Sequence, residues 1–192
     1  SLDAADDLIK RSAEKGITLV TAASPDYPSR LKAMNDYDVA DRRPTYTVMN
    51  GVLSASMEGS RERQTRPAIL WVRGDLKVFE SPSVALVGGG RWSSKEANDA
   101  AKRLGGRLAE EDIVAVTNLY DGPQRSATAA VVEKGGKALA FSSAPIGNAE
   151  TSDIEEEIVR NGGAVISEDS IDSKPRQVDK KEKRRGNALA IS

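Results

Sequence analysis

The chain has 192 residues, of which 39% are hydrophobic and 30% are charged, and its formal net charge is −1. This length and composition fit one globular domain with modest appendages. The sequence contains neither cysteine nor histidine, which excludes disulfides, thiolate chemistry, the Ser-His-Asp triad and most zinc sites. It also has neither a long apolar run nor a signal-peptide pattern, so we expect a cytoplasmic protein without a membrane span.

The N-terminal part of the chain combines short helices and strands with a β-hairpin. Asn50-Gly51 is a pair that two-residue hairpin turns prefer, and it separates two strand-like segments, 45–49 and 52–55. Residues 56–66 carry many charges and almost nothing apolar, so we expect a mobile loop there. The other elements predicted here are a helix over 2–15, a strand over 17–20, a short helix over 29–34 and a strand over 67–72.

From residue 84 onward, strands alternate regularly with helices. The strands are nearly continuous in apolar residues, which is typical of a parallel sheet covered on both faces. We therefore predict an α/β fold: a Rossmann-like, doubly wound and mostly parallel sheet with an inserted β-hairpin, in which 84–87 is the central strand. The predicted strands are 84–87, 113–117, 137–141 and 164–167, and the predicted helices are 94–110, 126–134 and 153–161.

This change of pattern divides the chain into two parts. Residues 1–76 are expected to form an N-terminal extension of the Rossmann domain, with residues 35–66 as an insertion that carries the hairpin. Residues 77–192 are expected to form the Rossmann-like core, with a basic segment at 174–187.

Three local patterns refine the helices of the core. Ser93 with Glu96, and Ser152 with Glu155, have the spacing of capping boxes at helix starts. Gly105-Gly106 lies inside the first helix, where each glycine costs roughly 1 kcal/mol, so the pair indicates close packing on a neighbour.

The turn after strand 84–87 is the segment most suggestive of binding. It consists of Gly88, Gly89 and Gly90, followed by Arg91, and a helix begins soon afterwards. Glycines let the backbone approach an anion, and the free N–H groups of the first helical turn point towards it. Arg91 can add a bidentate contact to a phosphate. The alternative is a glycine-rich turn that binds nothing.

Ligands of parallel sheets bind at the carboxyl ends of the strands. In this chain that edge collects the loops 88–93, 118–125, 142–151 and 168–175. Two carboxylates, Asp121 and Glu168, follow their strands and lie on this edge, whereas Asp112 precedes its strand and belongs to the far rim. One or two carboxylates beside a phosphate loop are commonly structural, so we expect no catalytic residue, no metal and no cofactor.

Two nucleotide-binding motifs are incomplete. In the G-x-G-x-x-G frame that starts at Gly88, the third glycine is replaced by Ser93, and Asn118 stands where a ribose hydroxyl would need an acidic residue. This disfavours a dinucleotide cofactor. The G-x-x-x-x-G-K-[ST] motif is missing as well, which excludes a Walker-type nucleotidase.

The segment 174–187 is strongly basic. It holds seven Lys or Arg residues and two acidic residues, so it carries +5, and the rest of the chain carries −6. Such a run is either a solvated tail or a nucleic-acid contact. Its position after the last strand favours contact with nucleic acid through Lys183 and its neighbours.

Several motifs, taken in order, resemble the DNA-processing protein A family (DprA, also called Smf). They cover most of the chain outside residues 35–66. The matching pieces are Tyr27, Pro28 and Leu31, then 67–76, 84–94, 116–119 with Gly122, 135–137, 162–168 and 184–190. The chain differs from the family pattern at Gly122-Pro123-Gln124, where the family has glycine-isoleucine-aspartate.

The resemblance implies an extended Rossmann domain that binds single-stranded DNA, forms a homodimer and loads the recombinase RecA during natural transformation, without enzymatic activity. It also implies a DNA-binding site. That site would consist of Gly88, Gly89, Gly90, Arg91, Ser94, Thr117, Asn118, Arg184, Arg185 and Asn187, to which the basic run adds Lys183.

Two other functions stay open. One is a nucleotide-binding or nucleotide-processing protein of the wider Rossmann-like superfamily, and the other is a structural paralogue that only pairs with a partner. The chain stops inside its last family motif, so we expect it to be a piece of a longer protein.

Overall fold

The computed structural model describes residues 2–33, 37–40, 43–49, 52–58, 61–64, 66–88, 93–147, 149 and 151–174. The helices are α1 (Leu2–Glu14), α2 (Ser29–Lys32), α3 (Lys95–Glu110), α4 (Pro123–Glu133) and α5 (Ser152–Arg160), with a 3₁₀ helix at Leu76–Glu80. The strands are β1 (Ile17–Thr21), β2 (Tyr37–Ala40), β3 (Arg43–Met49), β4 (Val52–Glu58), β5 (Arg61–Gln64), β6 (Ile69–Gly74), β7 (Ser83–Ala85), β8 (Val114–Thr117), β9 (Ala138–Ser142) and β10 (Ala164–Ser167).

Six strands form the main sheet, in the order β1-β6-β10-β9-β8-β7. The strands β7, β8, β9 and β10 are parallel to one another, and β6 pairs antiparallel with both β10 and β1. The predicted fold class, a Rossmann-like and mostly parallel α/β sheet, is therefore confirmed. The boundary between an extension and a core at residues 76 and 77 stays a prediction.

The three crossover helices lie on one face of the sheet. Leu108 of α3, Val131 of α4 and Ile158 of α5 belong to one buried cluster with Ala115 and Val165 of the sheet. This follows from the strand order, because consecutive right-handed crossovers in one direction place every helix on the same side. The opposite face is covered by α2 and the 3₁₀ helix, which contribute Leu31 and Val78 to a second cluster.

The prediction that 84–87 is the central strand is wrong for the described part of the chain. Among the described strands, β7 pairs only with β8 and lies at the edge of the sheet. At this edge of the sheet, Val84 is 41% exposed and Val87 is 47% exposed. A run of apolar residues predicts that a strand is buried. It does not predict whether the strand pairs with one strand or with two.

The hairpin prediction is confirmed. The ladder between β3 and β4 starts at Met49 opposite Val52 and pairs the predicted segments 45–49 and 52–55. The same register continues beyond this ladder, because Arg43 lies opposite Glu58 and Ala40 lies opposite Arg61. The four strands form two antiparallel two-stranded sheets, β2-β5 and β3-β4, and we call this pair of sheets the ribbon.

The ribbon corrects the expectation of a loop over residues 56–66. Residues 56–58 belong to β4, and residues 61–64 form β5, which pairs with β2. Antiparallel pairing satisfies backbone N–H and C=O groups whatever the side chains are, so a polar composition does not prevent it.

The glycine pair inside α3 packs closely on α4, as predicted. A Cβ atom on Gly105 would overlap the backbone carbonyl of Ala127, and a Cβ atom on Gly106 would lie 3.1 Å from Nζ of Lys134. Gly105 therefore lets the two helices approach until backbone meets backbone, whereas Gly106 leaves room for the side chain of Lys134.

Both predicted capping boxes are wrong, because the N-cap of each helix lies one residue away from the predicted one. The N-cap of α3 is Ser94, whose Oγ accepts a hydrogen bond from Ala97 N at 3.2 Å, and not Ser93. The N-cap of α5 is Thr151, and Ser152 is already helical. Neighbouring Ser or Thr residues compete for a cap position, and the extended backbone at Ser94 decides the first case.

Candidate nucleic-acid interface

The carboxyl ends of the four parallel strands gather the candidate site. The chain leaves β7 towards Gly88, β8 towards Asn118, β9 towards Ser143 and β10 towards Glu168. The loops after these strands lie at one edge of the sheet because the strands run in the same direction. This edge is the ligand-binding edge of open α/β sheets.

Two of the predicted site residues, Gly88 and Ser94, are exposed there. Ser94 caps α3, and its backbone carbonyl accepts hydrogen bonds from Asn98 N and Asn98 Nδ2, both at 3.1 Å. The start of α3 is therefore fixed by three contacts to one residue. A fixed helix start holds its free backbone N–H groups in place for an anion.

Glu96 supplies a negative charge in the first turn of α3. Hydrogen bonds from its own backbone N–H and from the Ser94 hydroxyl lower the pKa of the Glu96 carboxyl below its ordinary value. The helix N-terminus therefore stabilises a carboxylate in the same way that it would stabilise a phosphate.

The predicted site residues Thr117 and Asn118 are buried, with exposed fractions of 0% and 2%. Thr117 Oγ1 accepts a hydrogen bond from Leu119 N at 3.5 Å, and Asn118 Oδ1 accepts one from Tyr120 N at 3.3 Å. Both side chains therefore hold the backbone of the loop after β8 by hydrogen bonds. They lie at the carboxyl edge of the sheet but are buried there.

The loop after β8 reverses sharply before α4. Leu119 has a φ angle of 57° and is buried, and Gly122 has a φ angle of 122°. A positive φ at a leucine is unusual and is held here by the burial of its side chain. This turn places Pro123 and Gln124, the first two residues of α4, beside Gly88.

Gln124 is a site residue that the sequence reasoning missed. It is 5% exposed, and its Nε2 donates a hydrogen bond to Asn118 Oδ1 at 3.5 Å. A Cβ atom on Gly88 would lie only 2.7 Å from Gln124 Oε1. The only signal in the sequence is that Gln124 replaces the aspartate of the family motif. That signal does not by itself reveal a contact with Gly88.

The other two loops of this edge are held by hydrogen bonds. Glu155 is fully buried, and its carboxylate accepts hydrogen bonds from Gly147 N at 2.7 Å and from the Thr151 hydroxyl at 2.6 Å. Ala144 O accepts from the hydroxyls of Ser142 at 2.9 Å and Ser167 at 2.8 Å. The loop after β9 is therefore tied both to α5 and to the end of β10.

Charge is distributed unevenly along this edge. The loop after β10 is acidic, with Glu168, Asp169 and Asp172 in five residues. At the loop after β8, Asp121 and Arg125 are 3.6 Å apart and balance one another. An anionic ligand is therefore favoured over β7 and β8 and disfavoured over β10.

Within the described residues, no group of three or more His, Cys, Asp or Glu side chains could hold a metal ion. Asp112 lies at the opposite edge, 3.8 Å from Nζ of Lys137, as its position before β8 predicted. In the same part of the chain, no helix is long and apolar enough to cross a bilayer.

Seven predicted site residues lie outside the described residues, and the predictions for them stand as made. They are Gly89, Gly90, Arg91, Lys183, Arg184, Arg185 and Asn187.

Comparison with solved structures identifies two similar folds. One is the X-ray structure of DNA processing protein A (DprA) from Streptococcus pneumoniae, with a TM-score of 0.64 and 19% identity, covering 97% of this chain and 55% of that one. The other is DNA processing protein A from Helicobacter pylori, described for its single-stranded DNA binding mode. It has a TM-score of 0.55 and 24% identity, covering 67% of this chain and 58% of that one.

The chain thus spans little more than half the length of each of these structures. A comparison with curated proteins finds no significant match. The model of one protein family, DNA recombination-mediator protein A, matches residues 18–185. Because this match covers most of the sequence, the chain belongs to the DNA recombination-mediator protein A family.

Proposed function

We propose that this chain binds single-stranded DNA as a recombination mediator. The observation that carries the proposal lies at the carboxyl edge of the sheet, where Gly88 is exposed at the end of the segment that leaves β7 and the exposed Ser94 caps the helix α3 that follows. A glycine lets a backbone phosphate come close, and the helix start supplies N–H donors for it. The protein from Helicobacter pylori with a similar fold binds single-stranded DNA.

We place the strand over β7 and β8 rather than across the whole edge. In the loop after β10, Asp172 is paired with Arg11, and the remaining carboxylates, Glu168 and Asp169, would repel phosphates. The basic segment 174–187 follows directly and carries +5, enough to offset that loop if it contacts the same strand. Phosphate contacts of this kind give affinity with little sequence preference and a steep dependence on salt.

We propose further that the chain has no catalytic activity. The sequence offers no histidine or cysteine as a general base or nucleophile. The carboxylates nearest the site have structural partners: Asp121 lies beside Arg125, and Glu155 holds Gly147 and Thr151.

Family membership supports two finer proposals: the protein acts as a homodimer, and it loads RecA onto the bound strand.

Fluorescence anisotropy with labelled oligo-dT, across a series of salt concentrations, tests the proposed binding. We expect affinity to fall steeply with salt. Lys183→Ala and Arg184→Ala should each reduce the slope of log K against log salt by about one unit if each residue touches a phosphate. Arg103→Ala, which removes an exposed positive charge on α3, is the matched control and should leave the slope unchanged.

A parallel titration with mononucleotides distinguishes the alternative function. Tight binding of a mononucleotide together with negligible binding of oligo-dT would favour the nucleotide-binding protein. If the double variant of Lys183 and Arg184 binds oligo-dT like the parent at every salt concentration, the basic segment is only a solvated tail.

A further inference from the structure

The side chain of Gln124 ends in a buried oxygen, Oε1, that has no hydrogen-bond donor within the described part of the chain. Oε1 of Gln124 accepts no hydrogen bond from any residue that the structure describes, although the residue is only 5% exposed. Buried polar atoms are nearly always paired, so each exception calls for an explanation. Here the exception lies at the carboxyl edge of the sheet, at the start of α4.

The orientation of this amide is fixed by its neighbours. The backbone N–H of Tyr120 can only donate, and it donates to Asn118 Oδ1 at 3.3 Å. The same Oδ1 accepts from Gln124 Nε2 at 3.5 Å. Since the donor end of the amide faces Asn118, the acceptor end faces the other way, towards Gly88.

Gly88 leaves the space into which this oxygen points. A Cβ atom at that position would lie 2.7 Å from Gln124 Oε1 and 3.4 Å from Cβ of Pro123. Gly88 itself is exposed, so Gln124 Oε1 lies directly beneath the surface of the candidate site. The amide is the far end of a flexible side chain, and a small torsional change brings the oxygen to a ligand that rests on Gly88.

The chemistry of this position selects the kind of ligand group. A phosphodiester has oxygen acceptors and no hydrogen to donate, so it cannot satisfy Gln124 Oε1. Every nucleobase, in contrast, carries at least one N–H donor on its Watson–Crick edge, and in a duplex that edge is already paired.

We infer that Gln124 is a nucleobase contact: its Oε1 accepts the Watson–Crick N–H of one unpaired base that lies over Gly88, beside a phosphate at the start of α3. This inference rests on the proposed binding of single-stranded DNA and adds a reason for the preference for single strands. A base in a duplex cannot offer its N–H to Gln124 without breaking its pair.

Two oligonucleotides and one substitution test this contact. The first probe is oligo-dT, and the second is the same oligonucleotide with every thymine methylated at N3, which keeps the phosphates and ring faces but removes the N–H donor. Wild-type protein should bind oligo-dT about tenfold more tightly than the methylated probe, as expected for the loss of one buried hydrogen bond. Gln124→Met should bind both probes with the weaker affinity.

The substitution should leave the fold intact. Methionine has a similar length. It removes both the buried oxygen that no described residue pairs with and the long, 3.5 Å hydrogen bond to Asn118 Oδ1, so the Tm of Gln124→Met should change little. Because Gln124 is neutral, the salt dependence of binding should also be unchanged. A role in folding alone would instead lower the Tm and affect both probes equally.

Two further variants keep the test decisive. Gly88→Ala displaces the amide without changing its chemistry and should also reduce the discrimination between the probes. Asn161→Ala removes another carboxamide at the opposite edge, where its Nδ2 donates to Val132 O at 2.8 Å and Gly136 O at 3.3 Å. This control should lower the Tm and retain full discrimination.

The outcomes separate the two proposals. If wild-type protein binds neither probe, the proposed function fails and takes this inference with it. If wild-type protein binds both probes equally, or if Gln124→Met discriminates as well as wild type does, the nucleobase contact is overturned and DNA binding stands.

Discussion

The guanidinium group of Arg11 donates two parallel hydrogen bonds to the carboxylate of Asp172, from Nη1 to Oδ1 at 2.8 Å and from Nη2 to Oδ2 at 2.6 Å. This pair joins α1 to the loop after β10, which are far apart in the sequence. Arg11 Nε also donates to Asp7 Oδ2 at 2.8 Å, within the helix. The N-terminal helix is thereby attached to one of the loops at the carboxyl edge.

This ion pair predicts a dependence of stability on pH. The hydrogen bonds from Arg11 lower the pKa of the Asp172 carboxyl below its ordinary value of 3.8. The folded state therefore holds a proton there less readily than the unfolded state does. The stabilisation is complete above the ordinary pKa and is lost as the pH falls through the lowered folded value.

We expect Asp172→Asn to cause a small decrease in Tm at neutral pH, because both partners are exposed and solvent screens them. The decrease should shrink in high salt and vanish in strong acid. Thermal melts of the variant and the parent at several pH values and salt concentrations measure it. Asp6→Asn, which alters an exposed charge of α1, is the control. An undiminished difference between Asp172→Asn and the parent in strong acid would show that the ion pair is not its cause.

The two neighbouring glycines of α3 predict opposite effects of the same substitution. Gly105→Ala places a methyl group against the backbone carbonyl of Ala127, which cannot move without separating α3 from α4. We expect a loss of about 1–3 kcal/mol in the free energy of unfolding, typical of overpacking.

Gly106→Ala meets only the flexible end of Lys134, 3.1 Å from Nζ, and alanine favours a helix by about 1 kcal/mol over glycine. This variant should be as stable as the parent or more stable. Urea unfolding of the two variants provides the comparison, and equal destabilisation of both would contradict the role of the Gly105 contact.

Glu155 predicts a large cost for removing a buried carboxylate. Glu155→Ala leaves the N–H of Gly147 and the hydroxyl of Thr151 without their acceptor and opens a cavity. We expect a loss of about 2–4 kcal/mol in the free energy of unfolding.

Glu155→Gln keeps one oxygen for Gly147 and offers an N–H₂ group to the hydroxyl of Thr151, so it should cost clearly less. Glu157→Gln, which alters a half-exposed charge of α5 paired with Arg160, should change stability by no more than about 0.5 kcal/mol. Chemical unfolding ranks the three variants. If Glu155→Ala proves as stable as Glu157→Gln, the carboxylate does not hold the loop after β9.

Local patterns in the sequence predicted most of the helices and strands. The wrong predictions concern features that depend on contacts between elements or on the conformation of one residue. The strand at Ala164–Ser167 was predicted with the boundaries that it has, because an apolar run between glycines and polar residues is a local signal. The position of β7 at an edge is a relation between strands that its own residues do not encode. The competition between Ser93 and Ser94 for the cap depends on the backbone angle of a single residue.

The candidate site shows the same division. A hydroxyl cap near the start of α3 could be recognised from residue types, although the cap is Ser94 and not the predicted Ser93. Gln124 could not, because its importance comes from its distance to Gly88, a residue on another element. The burial of Thr117 and Asn118 likewise follows from packing, which residue spacing does not report.

Arg91 gives the most direct test of the phosphate turn. In the sequence it follows three glycines and precedes the cap of α3, where an arginine can place its guanidinium over a phosphate at the helix start. We expect Arg91→Ala to weaken binding of oligo-dT by roughly 1.5–3 kcal/mol, the usual value of a charge-assisted hydrogen bond. Arg91→Lys should restore only part of this loss, because an ammonium group cannot bridge two phosphate oxygens. The Tm should barely change, since an arginine whose role is to contact a phosphate contributes little to a core. Anisotropy titrations beside thermal melts check both expectations, with Arg103→Ala as the control for charge. A marked fall in the Tm of Arg91→Ala with unaltered DNA binding would identify Arg91 as a structural residue and the glycine turn as a turn without a ligand.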